Sequence, residues 1–195
     1  MKKMLLVDYG SSYFQKVKES FEKLGVEFIE TNYDKIPNDI EEMNLCGIVL
    51  TGSPKMVGDP GSPQLDKLLL EQNVPILGIC YGFQLLMHSL GGKVNGLGFK
   101  DYGYSDMTII KRSPINKGIE SPVPVWMAHF DHVTKLADGF ELYAMTPISV
   151  AMAGDESRQI YGVQYHPEAK QSVSDMQLLK NFVFDICEYG GHKAN

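Results

Sequence analysis

A cysteine with glycine two positions before it and two positions after it is the residue whose surroundings most suggest chemistry. It lies in the stretch Gly78-Ile-Cys80-Tyr-Gly82, between an apolar run and a segment with helical spacing. A nucleophile between two glycines, with a strand before it and a helix after it, is typical of a nucleophile elbow. The sharp turn exposes the thiol at the sheet edge, and the helix N-terminus favours the reactive thiolate. Cys46 and Cys187 lack this context and are interpreted as small buried hydrophobic residues.

A cysteine nucleophile needs a base and a group that orients the base. Among the five histidines, His166 follows an apolar run in Tyr161-Gly-Val-Gln-Tyr-His166-Pro-Glu168 and so reaches a sheet edge as well. Pro167 restricts the backbone, and Glu168 can turn back towards the imidazole and hold one tautomer. A His-Pro-Glu segment alone is a weak signal. Together with the elbow it predicts a triad of Cys80, His166 and Glu168.

The first half of the chain must provide the elements that position these residues. Strand-like and helix-like segments alternate there, with strands predicted at 4–8, 26–29, 47–51 and 74–79 and helices at 14–24, 65–70 and 82–90. Such alternation predicts a parallel sheet covered by helices on both faces. Ligands of these sheets bind beyond the carboxyl ends of the strands, where Asp8, Thr51 and Cys80 lie.

The second half has a different pattern, with short β-leaning segments at 102–111, 123–128, 140–145, 149–153 and 159–164. They predict an antiparallel extension of the sheet. A last helix is predicted over 173–188, with Ser172 as N-cap and Asp175 three residues later. The predicted fold class is therefore α/β, with a mostly parallel central sheet flanked by helices and a C-terminal antiparallel β extension. Residues 1–190 are predicted to form a single domain, followed by a disordered tail at 191–195.

Composition excludes several classes of function. The 195 residues are 44% hydrophobic and carry a net charge of −6, which suits one globular core and provides no basic surface for nucleic acid. The apolar run near the start ends at Asp8, too soon for a signal peptide, and no run is long enough for a membrane span. Three cysteines, distant in sequence and odd in number, favour a reducing cytoplasm over a disulfide framework.

The elbow and the His-Pro-Glu segment, in this order and separation, resemble the class I glutamine amidotransferase family. The similarity extends from Leu6-Val-Asp-Tyr-Gly10 to the last helix and implies a flavodoxin-like fold. It also implies that Cys80 attacks the carboxamide of glutamine, that His166 acts as general base and then acid, and that Glu168 orients His166. No cofactor and no metal are implied for this chain.

The same resemblance implies further site residues. The family's glycine-rich oxyanion loop corresponds to Thr51-Gly52-Ser53-Pro54, so the backbone N–H groups of Ser53 and Tyr81 would form the oxyanion hole. Gly52 and Gln84 are implied to contact the substrate. Ser53 replaces a glycine of the family, and a residue with a side chain would be strained there if the position required positive φ.

Four segments look most like the amidotransferase part of GMP synthetase, at residues 100–104, 125–133, 160–168 and 181–187. This similarity implies a partner, an ATP-pyrophosphatase subunit or domain that uses ATP and Mg²⁺ to convert XMP to GMP with the released ammonia. One motif differs from the GMP synthetase pattern, because the usual Ser-His-Gly-Asp is replaced by Ala128-His129-Phe130-Asp131. Phe130 therefore stands at a glycine position where the backbone normally approaches the substrate glutamine. His129 and Phe130 are expected at the substrate. His129 and His132 are interpreted as part of a polar loop and not as metal ligands.

Three other functions remain open from the sequence. The same chemistry could serve another acceptor, as in anthranilate synthase. The chain could be a catalytically weak regulatory module of the same fold, although the complete triad argues against decay. It could also be a stand-alone hydrolase of γ-glutamyl bonds, which would be highly active without a partner.

Overall fold

A twisted nine-stranded sheet forms the centre of the protein in the computed structural model, which describes residues 2–191. The strand order is β2-β1-β3-β4-β9-β8-β7-β5-β6. The strands are β1 (Lys3–Asp8), β2 (Phe28–Asn32), β3 (Leu45–Leu50), β4 (Ile76–Ile79), β5 (Lys93–Ile109), β6 (Val123–Lys135), β7 (Glu141–Met145), β8 (Val150–Asp155) and β9 (Ile160–Val163).

Helices cover both faces of the sheet. They are α1 (Phe14–Lys23), α2 (Lys67–Glu71), α3 (Tyr81–Ser89), α4 (Pro167–Lys170) and α5 (Val173–Lys180), which continues as a π-helical segment, Asn181–Ile186. Side chains of α1, α5 and the π segment pack into one apolar core, and those of α2 and α3 pack into the other. Every residue of β3 and β4 is buried because helices lie on both sides of these strands. No helix within residues 2–191 combines the length and apolar character needed to cross a membrane.

The α/β fold class predicted from the sequence is confirmed, with one difference in the strand at 159–164. Strands β2, β1, β3, β4 and β9 form the parallel half of the sheet, and β8, β7, β5 and β6 continue it with antiparallel pairing. The sequence pattern groups β9 with the antiparallel extension, but β9 pairs in parallel with β4. In the sequence, the antiparallel strands β5 to β8 are thus inserted between β4 and β9, which remain neighbours in the sheet.

This topology places the two halves of the predicted triad side by side. Strands β4 and β9 are neighbours, with Ile79 opposite Val163, and the backbone N–H of Cys80 donates to the Val163 carbonyl over 2.7 Å. Cys80 comes directly after β4, and His166 comes three residues after β9. Because the carboxyl ends of parallel strands meet at one edge, both side chains reach the same rim.

Several predicted elements differ from the structure at their boundaries. The second strand lies at Phe28–Asn32 and not at 26–29, since Gly25 and Val26 still belong to the turn after α1. Ser172 and Asp175 form the predicted capping box, but the helix after them changes to π geometry at Asn181. The predicted disordered tail at 191–195 lies outside the described residues except for Gly191, which ends a short 3-10 helix, Tyr189–Gly191.

We expect Gly162→Ala to lower the free energy of unfolding by about 1–3 kcal/mol, the usual cost of overpacking a core. A Cβ at Gly162 would overlap the ring of Phe83, which is fully buried and cannot move aside. The measurement is urea unfolding of the wild type, of each single variant and of Gly162→Ala/Phe83→Leu. The double variant should lose less than the sum of the two single losses, because the smaller side chain makes room. If the losses of unfolding free energy in the two single variants simply add in the double variant, the contact between residue 162 and Phe83 does not limit how closely β9 approaches α3.

Candidate active site

Cys80 has the strained backbone of a nucleophile elbow. Its φ is 53° and its ψ is −104°, a conformation that residues with side chains rarely adopt, and α3 begins at the next residue. The flanking glycines allow this turn to pack tightly. A Cβ on Gly78 would lie 2.6 Å from the backbone of Gly82, and one on Gly82 would collide with the Leu50 carbonyl. The Gly-x-Cys-x-Gly pattern is therefore explained by the close contact of α3 with β3 and β4.

His166 and Glu168 form a buried hydrogen-bonded pair at the same rim. The imidazole Nδ1–H donates to Glu168 Oε1 over 2.7 Å, and Glu168 is only 1% exposed. The backbone N–H of His166 donates to the Trp126 carbonyl over 2.9 Å, which ties this segment to β6. The ring of Tyr13 lies against the imidazole, with 4.7 Å between the ring centroids. These contacts fix the position and the tautomer of the imidazole.

The structure brings Cys80 and His166 to the same cleft, close enough for the two groups to interact electrostatically. Burial disfavours a charged imidazole, but the electrostatic interactions and hydrogen bonds of His166 with Glu168 and Cys80 outweigh burial and raise its pKa well above the usual range. The raised pKa favours the charged form of the imidazole. A protonated His166 beside the sulfur is the arrangement that acid catalysis of a leaving amine requires.

The predicted oxyanion residues lie next to this pair. A Cβ on Gly52 would stand 3.2 Å from His166 Cε1 and 3.9 Å from the Cβ of Cys80, so a side chain here would crowd the reacting groups. Tyr81 is the first residue of α3, and N–H groups in a first turn have no acceptor within the helix. Ser53 does not have positive φ, so the strain considered for a non-glycine residue does not arise.

A cleft of about 360 Å³ opens above Cys80 and His166 and is of the size that small ligands occupy. The residues that line this cleft include Ser53, Gln84, His129 and Phe130. Gly52 lies behind this lining. The amide nitrogen of Gln84 is already used, since it donates to the Asp131 carbonyl over 2.6 Å and to Gln164 Oε1 over 3.1 Å.

His129 is a buried residue in the wall of the cleft, and one of its two ring nitrogens is hydrogen-bonded. Its Nδ1–H donates to the Asp131 carbonyl over 2.8 Å, and its Nε2 lies 3.2 Å from Asp101 Oδ2 without hydrogen-bond geometry. Burial lowers the pKa of His129, which keeps the imidazole neutral. The neutral ring supports the backbone of β6 beside Cys80, whose sulfur lies 3.9 Å from the Ala128 carbonyl oxygen.

The polar loop predicted around His129 and His132 is wrong, because both residues lie within strand β6. Side chains three positions apart on a strand point to opposite faces, so these two imidazoles cannot share one ion. Within residues 2–191, no cluster of three or more histidine, cysteine or acidic side chains has the geometry of a metal site. Phe130 lines the cleft, and its side chain is 52% exposed.

Sequence reasoning missed three residues that contact the triad or line the cleft. Gln164 donates from Nε2 to the sulfur of Cys80 over 3.6 Å, Asp131 lines the cleft, and Tyr13 contacts His166. Gln164 could have been found, since it stands two positions before His166 at a strand end. Tyr13 lies in the loop after β1, and Asp131 reaches the site through pairing of β5 with β6, which no local pattern indicates.

Comparison with known proteins places this geometry in a family. The family model described as "Glutamine amidotransferase class-I" matches residues 5–186. The chain belongs to the class I glutamine amidotransferase family. The amidotransferase sequence is 39% identical over 193 residues to a GMP synthase [glutamine-hydrolyzing] of Acinetobacter baylyi, with 97% of this chain and 35% of the relative aligned. The corresponding enzyme of Aquifex aeolicus is 38% identical over 186 residues, covering 95% of this chain and 36% of the relative.

A solved structure extends the comparison to the fold. It is a Thermoplasma acidophilum protein described as a candidate GMP synthase subunit, with a TM-score of 0.79 and 28% identity. The alignment covers 96% of this amidotransferase and 94% of that chain. By contrast, the amidotransferase spans little more than a third of the length of the curated GMP synthases that it matches.

We expect Glu168→Gln to lower the pKa of His166, because the carboxylate favours the charged imidazole and a neutral amide does not. In the wild type, the raised pKa of His166 stabilises the folded protein. This stabilisation is fully present below about pH 6.5, the pKa of histidine in an unfolded chain, and is lost as the pH rises through the pKa of His166 in the folded protein. The variant should lose the part of this pH dependence that Glu168 contributes, while the part due to Cys80 remains. NMR titration of the His166 ring protons measures the shift, and Glu156→Gln, whose carboxylate contacts Tyr143 and Tyr161, is the control. An unchanged pKa in Glu168→Gln would contradict the pairing.

Proposed function

We propose that this amidotransferase hydrolyses glutamine to glutamate and ammonia through a thioester on Cys80. The observation that carries the proposal is the convergence of Cys80, His166 and Glu168 at one rim, with a cleft of suitable size above them. We assign Cys80 as nucleophile, His166 as general acid and base, and Glu168 as the residue that orients His166.

The first half of the reaction forms the thioester. The Cys80 thiolate adds to the carboxamide carbon of glutamine, and the oxygen becomes an oxyanion that the N–H groups of Ser53 and Tyr81 stabilise. Each such donor contributes about 3–4 kcal/mol to transition-state stabilisation. His166 then gives its proton to the nitrogen, the C–N bond breaks, and ammonia leaves with the acyl group on sulfur.

The second half releases glutamate. A water molecule attacks the thioester while His166 accepts one of its protons, and a second tetrahedral intermediate forms in the same oxyanion hole. The C–S bond then breaks, and the thiolate beside protonated His166 is regenerated. Glu168 stabilises the imidazolium during both halves because its carboxylate accepts the Nδ1–H.

The cleft supports an amino-acid substrate. Asp131 lines the cleft, and we assign its carboxylate as the acceptor for the α-ammonium group of glutamine. Its Oδ1 is buried and has no hydrogen-bond partner within the described chain, so the ammonium group would satisfy it after a shift of this side chain. Burial raises the pKa of Asp131, and an ammonium group would supply the missing charge. Among the other substrate contacts proposed from the sequence, Gly52 provides space at the reacting carbon and Phe130 borders the mouth. Gln84 and His129 support the cleft through the Asp131 carbonyl.

The proposed recipient of the ammonia is an ATP-pyrophosphatase that aminates XMP to GMP, present as a subunit or as a domain. The GMP synthase relatives support this acceptor, since they are about three times as long as the matched region. ATP and Mg²⁺ would be bound by that partner and not by residues 1–190, which we propose form one domain. Cys46, Cys80 and Cys187 are all free, which supports a reducing cytoplasm.

We expect GMP to form when the amidotransferase is mixed with a GMP-synthesising ATP-pyrophosphatase, ATP, Mg²⁺ and XMP, with glutamine as the sole nitrogen source. Glutamine hydrolysis should be slow for the chain alone and should rise in the complete mixture. Cys80→Ala should reduce both glutamate and GMP formation at least roughly a thousandfold, the scale seen when a nucleophile is removed. Cys46→Ala is the matched control and should retain both activities.

Three results would separate the parts of this proposal. Hydrolysis by Cys80→Ala would disprove the nucleophile. Fast glutamine hydrolysis by the wild type, at a rate that does not change when the partner, XMP and ATP are added, would favour a stand-alone hydrolase or another acceptor. An ammonium salt in place of glutamine should restore GMP formation with Cys80→Ala, which shows that the synthetase itself is active.

A further inference from the structure

Aromatic side chains form a continuous surface on the outer side of the β5–β6 hairpin, which we call the aromatic face. It consists of the exposed Tyr102, Tyr104 and Phe130 and the half-buried Trp126. Tyr102 is 59% exposed, Tyr104 is 64% exposed, and Phe130 is 52% exposed. Contiguous exposed apolar patches of this kind usually mark interaction sites. The proposed hydrolysis of glutamine gives no reason for Tyr104 to be aromatic, because it does not line the cleft.

The aromatic face is an ordered arrangement. Tyr104 pairs with Trp126 across the two strands, and their rings meet edge to face with 5.1 Å between centroids. Tyr102 contacts the same indole in the same way at 5.2 Å. Alternation along each strand places these side chains on the solvent side, while Asp101 and His129 point inward. Rigid, packed aromatic rings lose little entropy on binding and are frequent at the energetic centres of interfaces.

The aromatic face carries positive charge, although the whole chain has a net charge of −6. The ammonium of Lys100 lies 4.5 Å from the ring centroid of Tyr102, and that of Lys170 lies 3.9 Å from the ring of Trp126. Neither lysine has an ion pair within residues 2–191. The exposed Asp106 is the acidic residue at the far end of this surface. The combination of aromatic rings and unpaired lysines fits a partner surface that has acidic and apolar groups.

The aromatic face is continuous with the mouth of the catalytic cleft. Tyr102 and Phe130 belong to the aromatic face and also line the cleft, as does the neighbouring Lys100. On the same strand as Phe130, the carbonyl oxygen of Ala128 lies 3.9 Å from the sulfur of Cys80. A protein bound here would cover the opening through which ammonia leaves. In the GMP synthases that the chain matches, nearly two thirds of the length lies outside the matched region, so these relatives contain a region large enough to be such a partner.

We propose that the aromatic face, with Lys100 and Lys170, is the docking surface for the ammonia-accepting synthetase. The synthetase would present acidic side chains to the two lysines and an apolar groove to the rings of Tyr104 and Trp126. This inference rests on the proposed function, because it names the surface through which that function is coupled to its partner.

The test uses Tyr104→Asp, which removes an aromatic anchor outside the cleft and adds a repulsive charge. Ile110→Asp is the matched control, since Ile110 is 58% exposed but lies outside the aromatic face. The probe is a purified GMP-synthesising ATP-pyrophosphatase with ATP, Mg²⁺ and XMP. Binding is followed by calorimetry, and coupling is followed by the rise in glutamine hydrolysis.

We expect Tyr104→Asp to keep the basal glutaminase rate within about twofold and to weaken partner binding at least about tenfold, the scale for loss of an interface anchor. Lys170→Glu should also weaken binding and should reduce its sensitivity to salt. Ile110→Asp should behave as the wild type. If Tyr104→Asp loses basal activity through misfolding, Tyr104→Ser and Lys170→Glu decide the outcome by the same measurements.

Two results would overturn the docking surface while leaving the proposed function intact. One is wild-type binding and coupling by Tyr104→Asp and Lys170→Glu. The other is a dimer of the chain alone in sedimentation that Tyr104→Asp dissociates, which would assign the aromatic face to a second copy. A wild-type chain that neither binds the synthetase nor responds to it would instead disprove the GMP-forming partner, and the docking inference with it.

Discussion

The contact of helix α3 with strands β3 and β4 is the constraint on which the rest of the site depends. Gly78 and Gly82 have no side chains because the backbones of the elbow and of Leu50 occupy that space. This contact forces the chain to turn at Cys80 with a φ of 53°, a conformation that costs energy for any residue with a Cβ. The packing of α3 therefore maintains the strained turn and presents the sulfur at the rim.

Two backbone hydrogen bonds then assemble the site around the elbow. The bond from Cys80 N–H to the Val163 carbonyl connects the elbow to β9, and the bond from His166 N–H to the Trp126 carbonyl connects β9 to β6. Both bonds involve main-chain groups, so the positions of sulfur and imidazole depend on strand pairing more than on flexible side chains. Catalysis benefits from this arrangement because the reacting groups need little reorganisation. The inserted strands β5 and β6 thus provide one wall of the cleft and also the aromatic face.

The parts of the fold that depend on local pattern could be predicted from the sequence. Alternating apolar strands and amphipathic helices indicated the parallel half, and the glycines around Cys80 together with the His-Pro-Glu segment indicated the residues that the structure brings to one rim. The parts that depend on pairing between distant segments could not be predicted. The strand at 129–132 resembles a loop because its histidines and aspartate are polar, and its burial becomes evident only when β5 pairs with it. Likewise, the roles of Gln164 and Asp131 follow from contacts with Cys80 and Gln84 across the sheet.

The central claim is that the elbow makes one of the three cysteines the acceptor of an acyl group. The most direct test is covalent labelling with a diazoketone analogue of glutamine, followed by intact mass measurement and peptide mapping. A single adduct on Cys80, with none on Cys46 or Cys187 and with protection by glutamine, is the predicted result. A label on Cys46 or Cys187, or no label on a folded protein under saturating reagent, would contradict it.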